Sequence, residues 1–178
     1  LHQLPASSRS GQALFKSDIP KLYILGKATS MVDFNNLKTG LEISRFRNRY
    51  NEVTVKMNEN FQYFSIDHER PETIEDFPPL TSPFGEYNSK KENASLFYQQ
   101  IGKVATNYPL ITFYEENGRK NGVITGEGLW RWRLFDFRQN GSNRFFDGLV
   151  QKIVQYMSLK EDKSRFRVST EPSYFENN

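Results

Sequence analysis

The residues best placed for chemistry lie between Val123 and Arg133, in the run Val-Ile-Thr-Gly-Glu-Gly-Leu-Trp-Arg-Trp-Arg. The run reads as a strand that stops at a glycine turn and hands over to a helix. Gly126 and Gly128 permit backbone angles that other residues resist. A helix beginning near Leu129 presents free N–H groups to an anion, and Arg131 or Arg133 would add positive charge beside them. In an α/β protein the carboxyl end of a strand is where ligands and catalytic groups gather. Gly126, Glu127, Gly128 and Arg131 are therefore the candidate ligand-binding residues. There is a rival reading. Trp130, Arg133, Leu134 and Phe137 recur at the spacing of one helix face, and Glu127 satisfies the helix dipole from within. The same run is then a structural clasp, with Trp130, Trp132 and Arg133 as its framework, and the balance favours the clasp. The lone Gly-x-Gly is neither a dinucleotide fingerprint nor a phosphate loop.

The other chemistry-bearing residues are sparse. His68 lies between Asp67 and Glu69, which could orient it as a general base. No serine nucleophile is identifiable beside it, and a G-x-S-x-G elbow is absent. Adjacent residues on a strand point to opposite faces, so this triplet is a poor metal site. His2 stands at the start of the chain with no partner in sequence. Arg45, Arg47 and Arg49 alternate with Phe46, Asn48 and Tyr50, which reads as a basic stripe on one face of a strand. A solvated edge strand guarded by charge is the simpler reading, and a nucleic-acid surface the sharper one. Trp130 to Arg133 interleave aromatic and basic residues, but on a helix they do not share one stacking face.

Composition sets the bounds. The chain has 178 residues, 37% hydrophobic and 25% charged, which suits one globular domain. Its formal charge of +3 is spread along the sequence, so no nucleic-acid partner is called for. There is no Cys, which removes disulfides, thiolate metal sites and a cysteine nucleophile. No apolar run reaches the roughly 18 residues of a membrane span, so no direct membrane insertion is expected. Neither a cofactor nor a metal is implied.

Several elements must position these residues. Leu1 to Pro5 looks like the end of a strand, and residues 7–16 like a surface helix. Residues 21–26 read as a buried parallel strand, followed by Thr29 or Ser30 as N-cap of a helix through Met31, Phe34 and Leu37, with Gly40 as its stop. Residues 41–66 read as two extended pieces. Residues 69–87 hold Pro71, Pro78, Pro79 and Pro83 and read as a long connection with one helical turn near residues 73–77. Residues 95–101, 109–114 and 122–125 read as strands, the last two joined by a hairpin signalled by Asn117-Gly118 and Asn121-Gly122. Phe146, Leu149, Val150, Ile153, Val154 and Met157 mark an amphipathic helix capped by Ser142 or Asn143. The sheet is expected to be mixed, parallel early and antiparallel late.

The segments GVITGEGLWRWRL (122–134) and FFDGLVQKIVQYMSLKEDKSRFRV (145–168) resemble the class I glutamine amidotransferase-like domain of large uncharacterised bacterial membrane-anchored proteins. Some relatives of those proteins carry von Willebrand A domains. LHQLP, LYILG and FPPLTSPFG fit the same resemblance, which covers most of the chain. It implies a flavodoxin-like three-layer α/β sandwich over residues 1–164 whose first strands precede Leu1, and a tail or downstream β domain from residue 165. It also implies a soluble domain of a membrane-associated parent whose partners are proteins or other domains of the same chain. Amidotransferases of this class use a Cys nucleophile with a His and a Glu. This chain has no Cys and no His-x-Glu pair. The resemblance therefore implies a pseudo-enzyme that interacts or senses; the alternative is an enzyme or small-molecule binder at the sheet edge, near Gly26 to Ser30 and Gly126 to Arg131.

Overall fold

The computed structural model describes residues 19–66, 74–116 and 118–159. The expected strand at residues 1–5, the helix at 7–16, both histidines and the tail from 165 lie outside them. The described chain is α/β, with a mixed six-stranded sheet and few helices.

The first unit is β1 (Lys21–Ile24), a loop, and α1 (Met31–Asn36). Ser30 caps α1 as the sequence suggests, its Oγ accepting from Asp33 N at 3.3 Å. β2 (Leu41–Ser44) leads into β3 (Tyr50–Met57), and a single 3-10 turn, Ile74–Asp76, falls where one helical turn is expected. β4 (Leu80–Pro83) and β5 (Glu86–Ser89) then occupy a stretch that reads as loop. β4 is an edge strand, and an edge tolerates Pro83 without losing a ladder bond. β6 (Asn93–Ile101), β7 (Val104–Glu116) and β8 (Arg119–Ile124) form a meander. Gly118, at φ 74°, takes the left-handed conformation between β7 and β8. Two helices close the fold, α2 (Leu129–Asn140) and α3 (Arg144–Ser158).

The sheet runs β1-β8-β7-β6-β3-β4, with β1 parallel to β8 and every other pair antiparallel, while β2 and β5 form a separate ribbon. Successive residues of a strand serve opposite faces. Ile111, Phe113 and Ile124 pack with Trp132, Leu149, Ile153 and Met157 from α2 and α3. Tyr114 and Val123 pack with Met31 and Phe34 of α1 and with Leu41 and Ile43 of the ribbon. Helices thus cover one face, and α1 with the ribbon covers the other.

Two further expectations fail. Arg45 to Arg49 is not a strand. It is the loop between β2 and β3, and Arg45 and Asn48 adopt φ of 52° and 54°. The alternation is coincidental to the pleat, because the loop is shaped by tertiary contacts. α2 is also turned from its expected register. Trp130 is 64% exposed and Trp132 only 1%. Leu134 and Phe137 are exposed with Trp130, while Leu129 and Phe135 pack on the core. Both helix faces carry aromatic residues, so periodicity does not choose between them. The indole of Trp132 decides it, with Phe77 and Phe97 edge-on and its N–H donating to Pro78 O at 2.7 Å.

Candidate functional site

β1 and β8 run side by side and end at the same edge, where Leu25 N donates to Ile124 O at 2.8 Å. Parallel pairing therefore brings together the loops at residues 26–30 and 125–128, about one hundred residues apart in sequence. The first loop is a tight turn in which Gly26 N donates to Thr29 Oγ1, and Thr29 N to Gly26 O, both at 3.0 Å. Glu127 reaches across it. Lys27 N donates to Glu127 Oε2 at 2.9 Å. A Cβ on Gly26 would collide with that carboxylate, coming 2.9 Å from its Cδ. Gly26 is thus glycine because Glu127 occupies the space above it.

The second loop is fastened to β4. Thr81 N donates to Glu127 O at 3.0 Å, and Glu127 N to Thr81 O at 2.9 Å. A Cβ on Gly126 would lie 2.9 Å from Leu80 Cβ, so that glycine permits close approach of two strands. Gly128 is the N-cap of α2 at φ 109°, a conformation that other residues take only under strain. The guanidinium of Arg131 folds back over Gly128, and its Nη2 donates to Thr81 Oγ1 at 3.2 Å. Its Nε is buried without an acceptor, and Trp130 stacks loosely outside it at 5.9 Å. The structure therefore gathers Gly26, Gly126, Glu127, Gly128 and Arg131 at one edge. Ser30 caps α1 there. Arg133 is separate, 3.6 Å from Asp147 and joining α2 to α3. Trp132 carries the structural role expected of both indoles; Trp130 does not.

Tyr50, at the start of β3, joins this edge without any signal in the sequence. Its hydroxyl donates to Lys27 O at 3.2 Å. Burial, and then the negative charge of Glu127, push its ionisation above the ordinary tyrosine value. Tyr50 is consequently a neutral donor at physiological pH. The described edge supplies a carboxylate, a phenol and a guanidinium, each already hydrogen-bonded to the protein. Among the described residues no group of three His, Cys, Asp or Glu could hold a metal ion.

A second feature adjoins the edge. Arg45, Arg47 and Arg49 of the 45–49 loop line an open cavity of about 460 Å³ together with Phe84, Tyr87 and Tyr108. Beneath it runs a buried polar chain. Tyr87 Oη and Ser82 Oγ are 2.9 Å apart, Ser82 donates to Thr125 O, and Gln99 Nε2 donates to Thr125 Oγ1 at 3.0 Å. Burial raises the ionisation of Tyr87 despite its hydrogen bonds. The arginines are visible in the sequence, but their aromatic floor comes from β5 and β7 and is not.

Comparison with protein families, curated proteins and solved structures finds no match. No helix among the described residues is long and apolar enough to cross a membrane.

Proposed function

We propose that the chain is a non-catalytic, amidotransferase-like module of a larger bacterial cell-envelope protein, on a flavodoxin-like frame, and that it acts through protein interaction or ligand sensing. The parent and the family follow from the resemblance of residues 122–134 and 145–168. One structural observation carries the non-catalytic reading. The strand-to-helix elbow is filled by the protein itself, because Glu127 lies against Gly26 and takes the Lys27 N–H that an oxyanion or ligand would otherwise engage. The chain also has no Cys to act as the nucleophile. The exposed stripe of Trp130, Leu134 and Phe137 on α2 supports interaction with proteins or with other domains of the parent. The purified chain is expected to release no ammonia from glutamine above the buffer rate. Release that disappears in His68→Ala would overturn the reading.

A small-molecule site at the same edge is the second reading. It is favoured by Arg131, whose Nε is buried with no acceptor. Thermal stabilisation by inorganic phosphate that Arg131→Ala abolishes would select it over the first.

A further inference from the structure

We propose that the cavity under the 45–49 loop binds a small organic dianion, of the phosphomonoester or dicarboxylate kind, that carries a flat apolar group. The inference is independent of whether the elbow at residues 126–131 is a clasp or a ligand site.

The first ground is charge. Arg45, Arg47 and Arg49 all line the cavity, and Glu86 is the one acidic residue among its walls. Arg45 Nη1 and Glu86 Oε1 form an ion pair at 2.6 Å. No carboxylate pairs with Arg47 or Arg49 among the described residues, and the Arg49 guanidinium lies 5.8 Å from the Phe84 ring. The walls thus carry two positive charges in excess, on side chains whose planar forks match a carboxylate or phosphate. All three arginines are exposed and so accessible to an incoming anion.

The second ground is preorganisation. Two residues of the loop, Arg45 and Asn48, hold left-handed backbone angles that non-glycine residues seldom adopt. Two contacts anchor the loop beside these residues. Phe84 N donates to Arg49 O at 2.7 Å, and Phe46 meets Tyr50 edge-on at 5.6 Å. Backbone strain fixed by its surroundings is a feature of ligand clamps.

The third ground is the floor. Tyr87 and Tyr108 stack with centroids 4.9 Å apart and planes inclined by 29°. Tyr87 is pinned through its hydroxyl by Ser82 and by Pro83 O. Raised in its ionisation by burial, it stays neutral and adds no repulsion to an anion. The cavity thus combines stacked tyrosines with three arginines among its walls, in a volume of about 460 Å³ that lies within the range of small-molecule sites. An anionic head with a flat body suits both surfaces.

Calorimetric titration of the folded protein with phenyl phosphate, inorganic phosphate and phthalate tests the proposal. Phenyl phosphate or phthalate should bind saturably. Preference for phenyl phosphate would identify a phosphomonoester, and preference for phthalate a dicarboxylate. Arg47→Gln and Arg49→Gln should each weaken binding by roughly tenfold or more, the loss expected of one charge-assisted contact. Glu86→Gln should strengthen it, by freeing Arg45. Tyr108→Ala should weaken phenyl phosphate more than inorganic phosphate. The losses caused by Arg47→Gln and Arg49→Gln should be the same in an Arg131→Ala background, which separates this cavity from the elbow. The proposal is overturned if neither organic anion binds, or if Arg138→Gln, on the exposed surface of α2, costs as much as Arg47→Gln. It is also overturned if an oligo-dT strand binds more tightly than phenyl phosphate with an affinity that grows with its length, because that marks a polyelectrolyte surface.

Discussion

Replacing each tryptophan in turn tests the register of α2. Trp132 is 1% exposed. A buried indole hides on the order of 200 Å² of surface, and at about 25 cal/mol per Å² its removal forfeits nearly 5 kcal/mol. Part of that area is already hidden in the unfolded chain, and alanine retains a little of it. The Trp132 N–H bond to Pro78 O adds about 1 kcal/mol, since truncation leaves a buried carbonyl without its donor. Trp132→Ala should therefore cost about 4–5 kcal/mol, close to the upper end for large-to-small core changes. Trp130, 64% exposed, should cost no more than about 1 kcal/mol. Urea denaturation followed by far-ultraviolet circular dichroism measures both without relying on the residues being changed. Fluorescence gives an independent check. Trp130→Phe leaves one buried indole with blue-shifted emission, and Trp132→Phe leaves one exposed indole with red-shifted emission. If Trp130→Ala costs as much as Trp132→Ala, or if the two emission maxima are reversed, the helix presents its other face and the account of α2 fails.

Three further outcomes follow from the same contacts. Gly26→Ala should destabilise by about 1–3 kcal/mol, as overpacking does, and should cost far less in a Glu127→Ala background; additive losses in the double-mutant cycle would show that the two residues do not compete for one space. Asp136 is fully buried in α2 and accepts from Phe146 N at 3.0 Å and Asn140 Nδ2 at 3.1 Å. Asp136→Ala should cost about 2–3 kcal/mol in urea denaturation, and a loss under about 1 kcal/mol would deny the carboxylate its role as cap of α3. Tyr23, Tyr87 and Tyr114 all have their ionisation raised chiefly by burial. Folding then favours their protonated forms, so the contribution is complete below the unfolded value of about 10 and is lost as pH rises through the folded values. Alkaline unfolding should coincide with a step in tyrosinate absorbance, and Tyr87→Phe should move it to higher pH; ionisation of all tyrosines well before unfolding would contradict the burial.

What the sequence discloses is the part governed by local chemistry. Ser30 caps a helix because its hydroxyl and the amide three residues on are local partners. The turn at Gly118 and the seam of Leu149, Ile153 and Met157 are legible for the same reason, although Val150 and Val154 of the same expected face are exposed. What it conceals is set by distant partners. Pro109 stands in β7, a central strand where proline is disfavoured, and is accommodated where the β6–β7 register shifts. Its freed carbonyl accepts from Gln99 Nε2 at 3.1 Å and Thr125 Oγ1 at 2.6 Å. Arg45 to Arg49 alternates like a strand, yet contacts with Phe84 and Glu86 fold it into a loop. The convergence of Glu127 on Gly26 depends on β1 and β8 being neighbours, and that of Tyr50 on Lys27 on β4, the partner of β3, bridging to Glu127; composition reveals neither.

The elbow and the last helix are best understood as one mechanical chain. Glu127 ties the end of β8 to β1 through Lys27 N and to β4 through Thr81, so α2 leaves the sheet from a point fixed in two directions. Trp132 then pins α2 to the core. From the next turn of α2, Asp136 reaches the N-terminal turn of α3, where a negative charge meets the positive end of the helix dipole. At the other end, Lys120 of β8 donates to Tyr156 O at 3.2 Å and Leu159 O at 3.1 Å, placing a cation where the dipole is negative. α3 is therefore held at both ends by charges that belong to other elements, and α2 is held at its start, middle and end. A helix secured in this way can leave Trp130, Leu134 and Phe137 in solvent, because its position does not depend on burying them. Loosening the clasp, as Glu127→Ala would, should disturb the placement of that stripe before it disturbs the core. The structural reading of the elbow is thus compatible with the interaction proposed for α2: the filled glycine turn fixes where the helix beyond it begins.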